Sequence, residues 1–394
     1  MTHARRILNH APARFAALAA SLALSMLSPG PSGATLPSDL DKPPASVKLA
    51  NPPPKHWVWV NDFVFPHMSD GMAHLLDGDT GRYLGMLSTG YSARIVLPRD
   101  GRVIYSPETY FSRGTRGERT DVVTIYDGAT LNVTGEIAIP PKRASNTPNM
   151  GSSVLTDDDR FLVIYNFTPA QSLTVVDTTK RSFAGEIEIP GCALVFPTGA
   201  RSFFSMCADG SLLTTEIDDA GKVVKQSRSA VLFDVDHDPV TEKPARIGDT
   251  WYFVTYAGCI YPVRIGKSGP ELAERWWLST KAERAQGWRP GGLQQLAIHR
   301  GLNRLYAVVH QGPVGTHKDP GKTLWIYDLA TRKRVQVMQL RHLATSVELS
   351  KDDHPLLYTA FADSSIIDVY DPVSGQLLRS IPNVGTTPTL LVTP

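Results

Sequence analysis

One short pattern recurs along this chain and limits what it can become. An apolar strand with period-two alternation ends in Asp, a tight turn follows, and a second strand returns. The clear copies are Ala73-His-Leu-Leu-Asp77, Val123-Thr-Ile-Tyr-Asp127, Leu173-Thr-Val-Val-Asp177, Leu324-Trp-Ile-Tyr-Asp328 and Ile367-Asp-Val-Tyr-Asp371. Two degraded copies, Leu212-Leu-Thr-Thr-Glu-Ile-Asp218 and Tyr261-Pro-Val-Arg-Ile-Gly266, fill the gap between Asp177 and Asp328. Alternation of this kind gives a strand with one buried face. The terminal Asp can accept a hydrogen bond from the backbone two residues on, and a following Gly supplies the positive φ of the turn. The spacing from Asp77 to Asp127 to Asp177 is fifty residues, and from Asp328 to Asp371 it is forty-three. Units of that length hold about four short strands, the size of a propeller blade. One such sheet cannot bury both faces alone, whereas a closed ring of them can. The expected fold is therefore all-β, a seven-bladed β-propeller of four-stranded antiparallel blades over residues 56–394. An array of β-sandwich domains is the alternative, but no stretch marks a linker between such domains.

The N-terminus reads as something other than fold. Arg5, Arg6 and Arg14 precede an apolar run from Phe15 to Leu27, and Ser32-Gly33-Ala34 supplies small residues for cleavage. Residues 1–34 are expected to be a secretory signal peptide. The apolar run is shorter than the roughly 20 residues of a membrane span. Residues 35–55, with Pro43-Pro44 and Pro52-Pro53-Pro54, read as an extended arm. The chain has 40 basic and 38 acidic residues; three of the arginines and none of the acids precede residue 35, leaving 37 against 38. That balance argues against nucleic acid and against polybasic docking on a membrane. In an exported chain Cys192 and Cys207, fifteen positions apart beside strand-like runs, are expected to be bridged. Closing such a loop stabilises by about 3 kcal/mol. Cys259, in the strand-like Cys-Ile-Tyr-Pro-Val, is expected to be a buried free thiol.

No catalytic set stands out. A Gly-x-Ser-x-Gly elbow, a phosphate-cradling loop and Cys-x-x-Cys-His are all absent from the sequence. His67 and His74 are too widely spaced for a helical metal pair, and His299, His310 and His317 lack carboxylate or thiolate companions at ligand spacing. Asp157-Asp158-Asp159 lacks the rest of a calcium loop and reads as an acidic turn between strands. Aromatic residues flank many turns: Trp57, Trp59, Phe63, Phe65, Tyr110, Phe111, Trp276, Trp277 and Trp288. Two stretches break the repeat. Residues 274–294 contain a short helix expected over Lys281–Gln286, capped by Ser279 or Thr280 and ended by Gly287. Residues 310–322 form a polar loop. One or the other of these two stretches is expected to carry a subunit contact.

Several segments carry a more specific likeness. They are Val60-Asn-Asp-Phe-Val-Phe-Pro-His-Met68, Gly81-Arg-Tyr-Leu-Gly-Met86 and Tyr110-Phe-Ser-Arg-Gly-Thr-Arg-Gly-Glu-Arg-Thr-Asp121, followed by Ile139-Pro-Pro-Lys-Arg143, the Cys192/Cys207 pair, Ala282-Glu-Arg-Ala-Gln-Gly-Trp-Arg-Pro-Gly-Gly292 and Gly315-Thr-His-Lys318. From about residue 57 onward the chain resembles the heavy subunit of the tryptophan tryptophylquinone amine dehydrogenases. The resemblance implies a cofactor-free propeller, paired two-and-two with a small light subunit that carries the quinone. It implies oxidation of a primary amine to aldehyde and ammonia, with electrons leaving to a small blue copper protein. It also implies that a Phe in the segment Phe63-Val64-Phe65 borders the substrate channel, Phe65 first and Phe63 second, and that the heavy-chain disulfide falls on Cys192 and Cys207. The Phe-Val-Phe-Pro-His, Pro-Pro-Lys-Arg and Gly-Thr-His-Lys segments look more like the aromatic amine branch, and Gly-Trp-Arg-Pro-Gly-Gly more like the methylamine branch. The substrate stays open between the two. The competing function is a non-catalytic exported propeller that binds a ligand or assembles a cell-envelope complex.

Overall fold

Every Asp-ended strand of the repeat becomes the third strand, counted from the centre, of a small antiparallel sheet. In the computed structural model these strands are Gly71–Asp77, Arg119–Asp127, Ser172–Asp177, Leu212–Ile217, Cys259–Gly266, Gly321–Asp328 and Ser364–Tyr370. They belong to seven separate sheets, numbered here as blades 1–7 in that order. The structure describes residues 47–394 except 93, 145–147 and 267. The expected signal peptide and residues 35–46 of the expected arm lie outside the described residues.

The ring closes by pairing its two ends. The last strand, Pro388–Val392, is the innermost strand of blade 1, beside Trp57–Asp62, with Val60 opposite Leu391. Blade 2 has three regular strands, and an isolated bridge between Val96 and Tyr105 holds its inner position. Seven hydrophobic clusters of buried residues result, one at each contact between neighbouring blades. Phe161, Val163 and Val175 of blade 3, for example, pack on Val195 and Phe203 of blade 4. The core therefore sits between sheets, because each sheet buries both faces against its neighbours.

The turns divide the ring into two faces. On one, here the turn face, lie the tight connections that follow the repeat's Asp residues. Asp77 accepts from the amides of Asp79 and Thr80 and from the Thr80 hydroxyl. Asp127, Asp177, Asp218 and Asp371 each accept amides two to four residues on in the same way. The expectation of a Gly at the positive-φ position holds at Gly81, Gly221 and Gly375, but Leu131, Arg181 and Arg332 occupy the left-handed region in the corresponding turns. There the Asp-centred hydrogen bonds hold the turn without a glycine. Asp157-Asp158-Asp159 is an inter-strand turn on this same face, and each carboxylate reaches a different blade. Asp157 takes a two-pronged pair from Arg246, Asp158 accepts from Arg201, and Asp159 accepts the Arg99 amide.

The opposite face, here the loop face, carries the longer connections. The short helix is Lys281–Ala285, capped by Thr280, whose hydroxyl accepts the Glu283 amide while Glu283 returns the bond. Gly287, at φ 83°, ends it. Among the described residues no helix is long and apolar enough to cross a membrane.

Candidate functional site

The loop face brings together segments that are far apart in sequence. The first is the connection after Trp57–Asp62 in blade 1. Its Phe63 is buried at 2% exposure, while Phe65 is 40% exposed, and their rings lie 6.4 Å apart. Simple alternation in an extended loop does not account for this. Val64 between them is left-handed (φ 46°, ψ 57°), and Phe65–Asp70 forms 3-10 turns, with Pro66 in the first, broken by a kink at His67 (φ -147°, ψ 61°). A β-branched residue in that region costs about 1–2 kcal/mol, so something must hold the turn. Asp62 does: its carboxylate, fully buried, accepts the Val64 amide at 2.9 Å, the Thr386 amide at 2.5 Å, and the Thr387 amide and hydroxyl at 2.9 and 3.0 Å. Burial alone would raise the Asp62 pKa. The neighbouring His74 and the amides of Thr386, Val64 and Thr387 outweigh it and hold the pKa at about 2. His74 itself is buried, bonded through Nδ1 to Tyr83, with Nε2 3.5 Å from Asp62. His67 is exposed beside Asp70, so the two histidines serve different surroundings.

Two of the distinctive segments meet beside this loop. Arg119 and Asp121, from Arg116-Gly-Glu-Arg-Thr-Asp121, form a two-pronged pair at 2.8 and 2.7 Å. Asp121 also accepts the Thr109 hydroxyl and the Arg143 amide. Arg143, from Ile139-Pro-Pro-Lys-Arg143, sends its buried guanidinium to Thr109 and to the carbonyls of Tyr91 and Ser92. Burial pulls its pKa down to about 10, which leaves it charged at neutral pH. The cluster ties the connections before and after blade 2 together. A cavity of about 300 Å³ opens next to it, bordered by Arg119, Arg143, Asn149, Tyr165, Phe167 and Glu242.

Two more segments converge across the ring. A Cβ on Gly291 would come within 2.4 Å of the Asp319 carbonyl and 2.5 Å of His310 Nδ1, so only glycine lets the 310–322 loop seat there. Gly292, at φ 119°, faces the Thr345 backbone and donates to the His317 carbonyl. His317 stacks on Tyr256 with ring centres 3.7 Å apart. Burial lowers the pKa of both His310 and His317. His299 does not join them; it bonds the Asp352 carbonyl on the turn face. Among the described residues no group of three or more His, Cys, Asp or Glu is placed to hold a metal.

The tryptophans of 274–294 divide. Trp276 is buried on Tyr327, Trp288 packs against Trp325, and only Trp277 is openly exposed, with the Arg284 guanidinium over its ring. Trp57 and Trp59 are core residues between blades 1 and 2. The exposed apolar groups of the loop face include Phe65, Tyr110, Trp277 and, unnoticed in the sequence, Phe167, Val231 and Val314. Cys192 and Cys207 face each other across the inner strands of blade 4 and are joined by a disulfide on the loop face. Cys259 is a buried free thiol, its pKa pushed up to about 11 by burial. Sequence reasoning quoted the segment holding Asp62 but assigned that residue nothing. No local signal marks it: a β-branched Val is a poor indicator of a left-handed position, and the partners Thr386 and Thr387 lie far along the chain.

Comparison with known proteins agrees with the segments that meet here. Residues 55–394 match the methylamine dehydrogenase heavy chain family. The methylamine dehydrogenase heavy chain of Methylophilus methylotrophus is 29% identical over 378 residues, 95% of this chain and 92% of that protein. The heavy chain of Methylorubrum extorquens is 31% identical over 86% of this chain and 81% of its own length. That of Paracoccus versutus is 32% identical over 81% and 75%. Among solved structures, a dihydro-heme d1 dehydrogenase superposes with a TM-score of 0.54 at 18% identity, covering 93% of this chain and 79% of the other. A putative 6-phosphogluconolactonase from Bacteroides uniformis gives 0.60 at 13%, over 85% and 98%. At such identities these two speak to the propeller alone. The match that runs from residue 55 to residue 394 speaks to more than the fold: this chain belongs to the methylamine dehydrogenase heavy chain family.

Proposed function

We propose that this chain is the heavy subunit of a periplasmic quinoprotein amine dehydrogenase that converts a primary amine, methylamine or an aromatic amine, to aldehyde and ammonia. The observation that carries the reading is the family match across the whole propeller. The quinone, carried by a light subunit and made from two of its tryptophans, supplies the electron sink, and a small blue copper protein takes the electrons onward. Two heavy and two light chains assemble. This chain's part is to hold the light subunit on its loop face and to border the path of the amine.

Phe65 is the residue at that border. It is exposed on the loop face while Phe63, one residue removed, is core. An aromatic ring at a channel mouth selects by volume, and a methylene of fit is worth about 1–3 kcal/mol. In the assembled complex, Phe65→Ala is expected to change the ratio of kcat/KM for short and bulky amines while leaving Tm nearly unchanged. A buried Phe would instead cost about 3–5 kcal/mol of stability.

The test of the whole reading is purification of the chain in its native assembly from the periplasm of cells using a primary amine as nitrogen source. The expected result is a small cysteine-rich companion with visible quinone absorbance and dye-linked amine oxidation. A native assembly that contains no quinone-bearing chain would overturn the proposal.

A further inference from the structure

The strand pairing that closes the ring ends at Asp62. Val60 and Asn61 pair regularly with Leu391 and Leu390, a bulge follows, and Asp62 stands opposite Pro388, which has no amide to give. The closure is thus made without Asp62's side chain. That carboxylate is spent elsewhere: on the Val64 amide ahead of it and on Thr386 and Thr387 of the incoming chain. Thr387 relays the hold. Its hydroxyl donates to Asp62 and accepts the amide of Phe65 at 3.1 Å. Gly385, at φ 71°, lets the incoming chain approach, since a Cβ there would lie 2.4 Å from Asp62 Oδ2. Beyond the kink at His67 the segment is tied down separately, by the Ser92 amide on the Met68 carbonyl.

We infer that Asp62, acting through Thr387 and the left-handed Val64, is the positioning residue that fixes the Phe65 ring and so sets which amines this chain admits. The second half of this inference rests on the proposed place of Phe65 at the substrate path; the first half does not. A buried carboxylate with four donors is costly to build and rigid once satisfied. These four donors lie in the two segments that hold Phe65, and His74 Nε2 stands 3.5 Å from the same carboxylate on the adjoining strand. A backbone held this way fixes the point from which the ring projects, beside the buried Phe63 ring 6.4 Å away, and a small misplacement near a reacting centre is expensive.

The experiment uses the assembled heavy–light complex with 4-fluorophenylalanine at position 65. The expected ¹⁹F spectrum is one narrow resonance in the parent, broadened or split in Thr387→Val and in Asp62→Asn, and restored in Thr387→Ser, which keeps the hydroxyl. Parallel kinetics are expected to show the short-to-bulky ratio of kcat/KM moving by about tenfold in Thr387→Val, with no further change when Phe65→Ala is added. An unaltered resonance in both Thr387→Val and Asp62→Asn overturns the positioning role, whatever the kinetics. An altered resonance with an unchanged amine ratio, in those variants and in Phe65→Ala alike, overturns the link to selectivity and with it the reading of Phe65, while the positioning role stands.

Discussion

The two faces of the ring solve the same problem by different means. On the turn face the connections that follow the repeat's Asp residues are held from within: Asp77 bonds residues two and three positions on, and the same device recurs around the ring, while the Asp157-Asp158-Asp159 turn is tied to other blades through Arg246, Arg201 and Arg99. On the loop face the connections are held from afar. Asp62 is bonded by residues 386 and 387, and Arg143 bonds the backbone of residues 91 and 92. Local bonds repay their ordering at once, and each is replaceable by a similar one nearby. Long-range bonds use buried charge, which is tolerable only when every partner is present. The repeated Asp turns are therefore built of small independent contributions and the loop-face clusters of a few large coupled ones.

That contrast is most exposed to refutation at Asp121. Its removal in Asp121→Ala takes the paired carboxylate from the Arg119 guanidinium, the acceptor from the Arg143 amide, and a neighbouring negative charge from the buried Arg143 guanidinium. The expected loss is about 3–5 kcal/mol in denaturant unfolding. Asp77→Ala, which removes only local turn bonds, is expected to cost about 1 kcal/mol. Equal losses would erase the distinction between the faces. Next in size is the disulfide. Replacing both Cys192 and Cys207 by Ser opens a loop of fifteen residues, and the expected loss is about 3 kcal/mol. Comparing unfolding with and without reductant in the parent gives the same quantity by a second route.

The same contrast explains what the sequence showed and what it hid. The Asp-ended strands were legible because their turns are local: strand, Asp and returning strand all lie within one short window. Seven units, the sheet order within them and the capped helix at Lys281–Ala285 follow from such windows. The role of Asp62 was hidden because Thr386 and Thr387 lie more than three hundred residues away. The inward turn of Trp276 and Trp288 was hidden for a related reason, since Tyr327 lies on the third strand of the blade after that of Trp276, and Trp325 on the third strand of Trp288's own blade, thirty-seven or more residues on in each case. His299 was grouped with His310 and His317 by proximity in sequence, yet the strand Arg304–Gln311 carries the chain from one face to the other between them. The segments marking the heavy-chain family were legible as segments; that they meet in pairs on one face was not.

A smaller effect tests the loop face through pH. The Asp62 pKa lies at about 2, below its ordinary 3.8. A depressed carboxylate contributes stability that is fully present above its unfolded pKa and is lost as pH falls through the folded one. The contribution of Asp62 should hold at neutral pH and decline between about pH 4 and pH 2. After allowance for solvent screening it amounts to about 1–2 kcal/mol. Other carboxylates titrate in the same window, so the informative quantity is the difference in stability between the parent and Asp62→Asn. That difference is expected to shrink as pH falls from about 4 to about 2, and a constant difference would show that the charge on Asp62 is not what holds the two segments.

The smallest expected effect probes the turn face and has opposite signs at two equivalent positions. Gly81 and Arg181 both take positive φ, 75° and 51°, in the turns that follow Asp77 and Asp177. At Gly81 a methyl group would meet only ordinary contacts, with Arg379 at 3.4 Å and Ile381 at 3.6 Å. Gly81→Ala therefore reads the backbone cost alone, about 1 kcal/mol of lost stability. Arg181 is exposed and already bears that cost. Arg181→Gly removes it, partly offset by the greater freedom of glycine in the unfolded chain, for a gain of about 0.5 kcal/mol. If the Asp-centred bonds of Asp177 to Thr179 and Lys180 hold that turn unaided, the two variants should move the unfolding midpoint in opposite directions. A loss at Arg181→Gly would mean that its side chain contributes a contact worth more than the strain, and that the turn face is less local than its repeated Asp suggests.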